Sequence, residues 1–205
     1  MTKNRFLPHL HIIFFLFLTL LPAIFTSCFT LPHGQYVYIS RRLDQPGVLT
    51  ASELARYFKE NNPKANYFKI KKFAQLYIDE AAMEHINSDI AFAQMCLETG
   101  YLTFGNLVTP DMHNYCGLGA MDAAHPGERF ATPQLGVRAH IQHLQAYATT
   151  ADQPLNNALV DPRYNWVHKT KYIETLDQLA GTWAMDQDYG TKLENILLRM
   201  ERHIN

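Results

Sequence analysis

Residues 90–100, with the sequence IAFAQMCLETG, decide the fold of this 205-residue chain. Apolar side chains occupy so many of these positions that a helix here would have almost no polar face, and such a helix belongs in the centre of a domain. Residues 87–89, Asn-Ser-Asp, offer an N-cap before the run, and Gly100 is typical of a helix C-cap. The stretch therefore predicts a buried central helix in a mainly α domain.

Further helices are predicted on both sides of this one. Thr50 and Glu53 form a capping box, and Thr132-Pro133 is a cap followed by proline at the first helical position. Residues 101–131 show little apolar periodicity, and an irregular stretch of that length inside a compact domain is usually functional. The predicted flanking helices cover about 50–61, 67–85, 132–147, 171–185 and 189–203.

Charge is distributed unevenly along the chain. Residues 29–72 hold eight basic and three acidic side chains, whereas residues 73–205 hold eight basic and sixteen acidic ones. A protein that binds many phosphates needs a sustained basic face, which the main body lacks. Nucleic-acid binding is therefore excluded as a main function, and the basic segment is expected to be a solvated tether face or a surface against anionic lipid or wall polymer.

The first 28 residues are predicted to be an export signal. Lys3 and Arg5 precede an uncharged apolar run at 12–25, which is long enough for the core of a signal peptide but short for a membrane span. Small polar residues then precede Cys28, a pattern that resembles a bacterial lipoprotein signal in which this cysteine is lipidated. An uncleaved signal anchor is the alternative; in both cases the working domain lies in the cell envelope, outside the cytoplasm.

The domain boundaries follow from these segments. Residues 1–28 are assigned to the signal, 29–66 to a tether and a short N-terminal helix, and 67–205 to the main domain. In an exported protein Cys96 and Cys116 can form a disulfide, or both can be buried free thiols. No cysteine or histidine cluster has the spacing of metal ligands, so neither a metal nor a cofactor is predicted.

Glu98 is the residue of this sequence most suited to chemistry. It lies at the C-terminal end of the apolar helix, where desolvation and the negative end of the helix dipole both disfavour its ionised form. A carboxylic acid that stays protonated near neutral pH suits a general acid that protonates a leaving oxygen, as in glycoside cleavage. A glutamate that points to solvent at a frayed helix end is the structural alternative.

The segment Ala93–Gly100, AQMCLETG, resembles the catalytic helix of the glucosaminidase family of peptidoglycan hydrolases. Residues 113–119, HNYCGLG, resemble the segment that follows that helix in the family. Residues 130–144 resemble the helix after its small lobe. Residues 186–193, DQDYGTKL, resemble its Asp-Pro-x-Tyr-x-x-Lys-Leu segment, with Gln187 in place of the usual proline. These matches occur in the family's order over residues 70–203.

The resemblance implies a mainly α (α+β), lysozyme-like fold, in which a helical lobe and a small irregular or β-hairpin lobe flank a glycan cleft. It implies that Glu98 is the general acid and that Tyr189 supports the sugar or the attacking group. The implied substrate is peptidoglycan glycan strands, cut after N-acetylglucosamine. The other residues expected to contact substrate are Gln94, Asn114, Tyr115 and Glu128.

The second catalytic group is open at this level. Asp111, Asp122 and Glu128 lie in the irregular segment and could face the cleft, with Glu128 as a possible base. Attack by the substrate's own 2-acetamido group would need no enzyme nucleophile and is the preferred hypothesis. Alternative activities are lytic transglycosylase cleavage, an endoglycosidase acting on glycoprotein sugars, and a noncatalytic wall-binding module.

Histidines and tryptophans of the second half are expected to have ordinary roles. His140 and His143 are predicted to be packing or surface residues. Trp183 is predicted to lie in the core as part of the helix at 171–185, and Trp166 is assigned neither to the core nor to a sugar-binding surface.

Overall fold

The computed structural model describes residues 37–150 and 152–204. The predicted signal and Cys28 lie outside these residues. Within them the fold is mainly helical with one small two-stranded sheet, which confirms the expected α-dominated, lysozyme-like fold. No helix in this part of the chain has both the length and the apolar character needed to cross a membrane.

Six α-helices form the larger part of the molecule, and two strands follow α3 in the small lobe. The helices are α1 (Ala51–Asn61), α2 (Tyr67–Glu84), α3 (Ser88–Thr99), α4 (Pro133–Ala148), α5 (Tyr164–Thr170) and α6 (Tyr189–Ile204). The antiparallel strands are β1 (Ala120–Asp122) and β2 (His125–Pro126), and short 3-10 turns occur at Pro110–Met112 and Leu176–Leu179.

Helix α3 lies at the centre and contacts α1, α2, α4 and α6. It is buried on all sides because it is apolar on all sides, and Phe92, Met95 and Cys96 are completely shielded from solvent. Asn87 caps its start by accepting hydrogen bonds from two backbone N–H groups, and Gly100 ends it in the left-handed conformation (φ 55°). The predicted central helix and both of its caps are thus confirmed.

The segment before α1 is part of the same core. Ile39, Leu43 and Leu49 are buried, and backbone hydrogen bonds join Leu43 to Glu174 and Leu176 to Arg41. The Arg41 guanidinium pairs with Glu194 (2.6 Å) and Glu201 (2.5 Å), both on α6. The extended segment at 37–43 therefore fastens the last helix to the domain.

The predicted helix at 171–185 is wrong. The chain is helical earlier, in α5, and then forms only the 3-10 turn at Leu176–Leu179 before Gly181 adopts a positive φ of 72°. The apolar spacing that suggested a helix arises because Ile173, Leu176 and Leu179 all reach the core from an irregular backbone. Trp183 therefore lies in a loop and not in a helix, beside the C-terminal end of α3.

Candidate active site

A cleft of about 480 Å³ opens at the C-terminal end of α3. One wall is the end of α3 with the turn that follows it, and the others come from the 104–108 loop, the 114–120 segment and the 183–184 loop. Glu98 is the only carboxylate among the described residues that line this cleft. The cleft thus lies between Glu98 and the irregular segment at 101–131.

The carboxyl group of Glu98 is half-buried. Burial raises its pKa above the ordinary value of a glutamate, while hydrogen bonds from Tyr189 and Trp183 act in the opposite direction. The desolvation effect is the largest of these, which is the cause expected from the apolar helix. A carboxylic acid in this environment retains its proton to higher pH and can donate it to a leaving group.

Two donors hold one oxygen of this carboxyl group. The Tyr189 hydroxyl donates to Oε1 of Glu98 at 2.5 Å, and the indole Nε1–H of Trp183 donates to the same oxygen at 3.1 Å. Oε2 forms no hydrogen bond with any described residue and lies beside Gly117 in the cleft wall. Because Oε1 already accepts two hydrogen bonds, the acid proton belongs on Oε2.

A chain of buried groups continues behind Tyr189. Gln94 Nε2 donates to the Tyr189 hydroxyl (2.8 Å), and the side-chain oxygen of Gln94 lies 3.0 Å from His140 Nε2. The other ring nitrogen of His140, Nδ1, lies 3.0 Å from the hydroxyl of Tyr77. Gln94, His140 and Tyr77 are fully shielded from solvent, so each of their polar atoms needs a partner inside the protein.

The direction of this chain follows from the protonation state of His140. Burial lowers the pKa of its imidazole to about 3, so the ring is neutral and carries one N–H. With that proton on Nε2 it donates to Gln94, and Nδ1 accepts from Tyr77. In the reverse direction the buried Tyr77 hydroxyl would have no acceptor. The whole chain therefore presents Tyr189 as a donor to Glu98.

Burial is also the main reason that the pKa of Tyr189 lies well above that of a free tyrosine, and the nearby Glu98 carboxylate adds to the shift. Its hydroxyl accordingly keeps its proton across the physiological range. Tyr189 is the first residue of α6 and is 5% exposed. Its place in the chain and its partner agree with a role in supporting the acid, whereas contact with the solvent side of the cleft is small.

Asn114 organises the 114–120 segment. Its side-chain oxygen accepts from Leu118 N (2.9 Å), and its amide donates to the carbonyls of Leu118 (2.9 Å) and Glu128 (3.1 Å). The residue lines the cleft but is 1% exposed, with both ends of the amide committed to backbone. Asn114 thus sets the shape of the cleft wall by bonding local backbone, the structural alternative for such a residue.

Tyr115 lies in the core instead of the cleft. Its ring packs edge-on against Phe73 at a centroid distance of 4.7 Å and also contacts Gly136. Gly136 has no room for a side chain, because a Cβ there would lie 1.8 Å from the carbonyl oxygen of His113. The ring of Tyr115 points into the core because the 113–115 backbone packs directly against the first turn of α4.

The acids of the small lobe are separate from Glu98. Asp111 pairs with Arg129, and Asp122 accepts hydrogen bonds from the backbone and ring of His125 at the surface. Glu128 is half-buried with its side chain against Gly119, and it is not among the residues that line the Glu98 cleft. The structure therefore brings Glu98, Gln94 and Tyr189 together, and leaves these three acids outside that group.

Two residues of the site, Trp183 and His140, were not identified from the sequence. Trp183 packs against His143 and Tyr147, with ring centroids at 4.8 and 5.6 Å, while its indole nitrogen reaches Glu98. Neither residue is near Glu98 along the chain. Only the four-residue spacing of Gln94 and Glu98, which places both on one helical face, indicated in advance that a polar group would adjoin the acid.

Cys96 and Cys116 are buried free thiols in the structure, in agreement with the second of the two alternatives considered for them. Burial raises the pKa of each thiol well above its ordinary value. Such thiols are inert, because the thiolate is the reactive form. Among residues 37–150 and 152–204, no group of three or more His, Cys, Asp or Glu side chains is arranged to hold a metal ion.

The comparisons with known proteins concern most of the main domain. Residues 74–202 match the Glucosaminidase family, described as mannosyl-glycoprotein endo-beta-N-acetylglucosaminidase. The chain is also similar to a protein of Borreliella burgdorferi that is described as uncharacterized. The two are 39% identical over 159 residues, which cover 78% of this chain and 76% of the relative. On the basis of these matches, the chain belongs to the glucosaminidase family of glycoside hydrolases.

Proposed function

We propose that this protein hydrolyses β-1,4 glycosidic bonds after N-acetylglucosamine in peptidoglycan glycan strands, with Glu98 as general acid. One observation carries the proposal: a half-buried carboxyl group of raised pKa faces an open cleft, with one oxygen held by two donors and the other free. That arrangement fits proton donation to a glycosidic oxygen. Membership of the glucosaminidase family supports the sugar specificity.

The proposed first step is a proton transfer from Oε2 of Glu98 to the oxygen between the two sugars. The bond from that oxygen to C1 of N-acetylglucosamine breaks, and the leaving sugar departs with a new hydroxyl group. The resulting carboxylate is stabilised at Oε1 by Tyr189 and Trp183. Both donors bind the charged form more strongly than the neutral acid, so they assist the step in which charge develops.

We propose substrate assistance for the bond that forms at C1. Glu98 is the sole carboxylate in the described lining of its cleft, which supports a mechanism without the enzyme nucleophile of a retaining carboxylate pair. The carbonyl oxygen of the 2-acetamido group would bond to C1 and form a cyclic oxazolinium ion. Water would then add to C1 and give one of its protons to the Glu98 carboxylate. The bond between C1 and the acetamido oxygen breaks in the same step, which reopens the ring and restores the acetamido group.

The test is digestion of purified peptidoglycan by residues 29–205, wild type beside Glu98→Gln, with mass analysis of the released ends. New reducing N-acetylglucosamine ends that the variant does not produce support the proposal. Anhydro-muramic ends would instead identify a lytic transglycosylase. Binding to the wall without release of any product would favour a noncatalytic module. Inhibition by a thiazoline analogue of the oxazolinium ion tests the assisted step separately.

We also propose that the protein is exported and held at the membrane through a lipid on Cys28. The proposal rests on the basic start, the apolar run at 12–25 and the small residues before Cys28. Cells that express the full chain and its Cys28→Ser variant would be labelled with radioactive palmitate. Label in the wild type alone supports lipidation, whereas a membrane-bound but unlabelled wild type would indicate an uncleaved signal anchor.

A further inference from the structure

A second cavity, of about 330 Å³, adjoins the Glu98 cleft. The two share Cys116, Gly117, Ala120 and Trp183 in their walls. A glycan strand is a linear polymer that extends beyond the bond being cut, so a neighbouring cavity along the same wall is a position for the next sugar unit. We call this second cavity the basic pocket and define it by Arg163, Trp166, Lys171 and His143.

Two cationic side chains of the basic pocket form no ion pair with a described residue. In the part of the chain that the structure describes, neither Arg163 nor Lys171 forms an ion pair through its side chain, although Asp and Glu residues are twice as frequent as Lys and Arg in residues 73–205. The described residues that line the pocket include no Asp or Glu. The lining of the pocket therefore carries two cationic side chains and no carboxylate, within an acidic domain.

His143 adds a third nitrogen group to the basic pocket. It is 5% exposed, and Nδ1 lies 2.7 Å from an oxygen of Asp161, which is itself buried and also accepts a hydrogen bond from the backbone N–H of Arg163. This carboxylate holds the ring in place and favours a proton on Nδ1. Nε2 forms no hydrogen bond with any described residue and is not among the fully buried unpaired atoms, so it keeps a small exposed surface.

Trp166 supplies an aromatic surface beside these charges. It is 56% exposed, and its ring centre lies 5.7 Å from the Arg163 guanidinium carbon. The guanidinium over the ring restrains the indole; Trp166 lies on the short helix α5 and Arg163 is the residue immediately before it. An exposed tryptophan provides a flat apolar face on which a sugar ring can rest, with its polar edge free for hydrogen bonds.

We propose that the basic pocket binds a carboxylate-bearing sugar unit adjacent to the one cut at Glu98, with Arg163 and Lys171 on the carboxylate and Trp166 under the sugar ring. The inference rests on the proposed function and deepens it, because it names an anionic substrate class for the same cleft. In peptidoglycan the carboxylate comes from the lactyl group of N-acetylmuramic acid or from the peptide attached to it. Arg and Lys side chains form charge-assisted hydrogen bonds with either.

The experiment compares kcat and KM of the full exported chain on three soluble glycan preparations. One consists of strands stripped of peptide, with free lactyl carboxylates; one retains the peptides; and one is the stripped material after its carboxylates have been converted to neutral amides. The variants are Arg163→Gln and Lys171→Gln. Lys169→Gln is the matched control, because Lys169 is exposed on the same helix α5 but does not line the pocket.

Each pocket variant is expected to raise KM by about tenfold on carboxylate-bearing strands, the effect of losing one hydrogen bond between charged groups. On amidated strands the variants and the wild type should have the same KM, and Lys169→Gln should match the wild type throughout. The preparation on which the rise appears identifies the lactyl group or the peptide as the source. An equal KM for all chains on the charged strands, or an equal rise on amidated strands, would overturn the proposal.

A failure of the proposed function can be told apart from a failure of this inference. If the wild type cleaves none of the preparations, binding of the same strands is measured by calorimetry with the Glu98→Gln chain as the background. Tighter binding of charged than of amidated strands, abolished by Arg163→Gln, supports the pocket even without hydrolysis. Equal binding of both preparations refutes it.

Discussion

Replacing Tyr189 by phenylalanine removes one hydroxyl group from the centre of the site and keeps the buried ring. The hydroxyl donates to Oε1 of Glu98 at 2.5 Å and accepts from Gln94 at 2.8 Å. A hydrogen bond to a charged group contributes about 1.5–3 kcal/mol. Because Glu98 becomes charged as it gives up its proton, most of that contribution is lost in the transition state, and kcat/KM should fall about 10- to 150-fold.

The same substitution also changes the pH dependence of the activity, because it alters the pKa of Glu98. The bond from Tyr189 lowers the pKa of Glu98, so its removal raises that pKa. A general acid works only while protonated, and its activity is lost as the pH rises through its pKa. The Tyr189→Phe enzyme should therefore be slower at its optimum yet retain its own maximal rate to higher pH than the wild type.

The assay is kcat/KM from pH 4 to 9 on soluble glycan strands, with Tyr115→Phe as the matched control. Tyr115 is another buried tyrosine of the same region, but it packs in the core and does not line the cleft. Its variant should keep the wild-type profile. An alkaline limb of Tyr189→Phe that is unmoved, or displaced to lower pH, would refute the assignment of Tyr189 as a donor to the acid.

Three further predictions concern the parts that hold the site together. Gly136→Ala should destabilise the fold by about 3 kcal/mol in urea unfolding, since a Cβ there meets the backbone of His113 and overpacking of this kind requires a backbone shift; an unchanged midpoint would show that the loop adjusts freely. Arg41→Gln should lower the free energy of unfolding by about 2 kcal/mol, because it leaves the buried Glu201 carboxylate without its cation. The loss is smaller than for a fully buried pair because Arg41 is partly solvated; the urea midpoint measures it, and equal stability would contradict it. The buried imidazole of His140 has a pKa of about 3, below its ordinary value of 6.5, so the unfolded chain takes up a proton first as pH falls. The contribution of the neutral His140 to the free energy of unfolding is complete above pH 6.5 and is smaller by about 2 kcal/mol at pH 5. In His140→Gln the free energy of unfolding should therefore change less between pH 7 and pH 5 than in the wild type, and an identical pH dependence would refute this.

Local chemistry made the start of several elements predictable. The capping box at Thr50 and Glu53 forms as expected, and Thr132 caps α4 with proline following it. Both depend only on residues within one turn of each other, which the sequence displays directly. The burial of α3 was likewise readable, since apolar residues on every face leave a helix no stable place except the interior.

The composition of the site was less predictable, because its contacts join distant parts of the chain. Trp183 and Glu98 are 85 positions apart, and His140 reaches the site only through Gln94. Spacing in the sequence carries no signal for such pairs. The error at 171–185 had the same origin: an irregular backbone can place apolar residues in the core at intervals that imitate a helix, and the pattern alone does not distinguish the two.

The ion pairs of Arg41 have a consequence for any shortened recombinant chain. The family match begins at residue 74, which invites a domain boundary near α2. A protein cut there would lose Arg41 and the backbone bond to Glu201 from Ile39, and it would expose the carboxyl group of Glu201 on the same helix that begins with Tyr189. Weak activity of such a fragment would reflect a less stable position of Tyr189, so a recombinant chain should include Ile39 and Arg41 and should not begin at the edge of the family match.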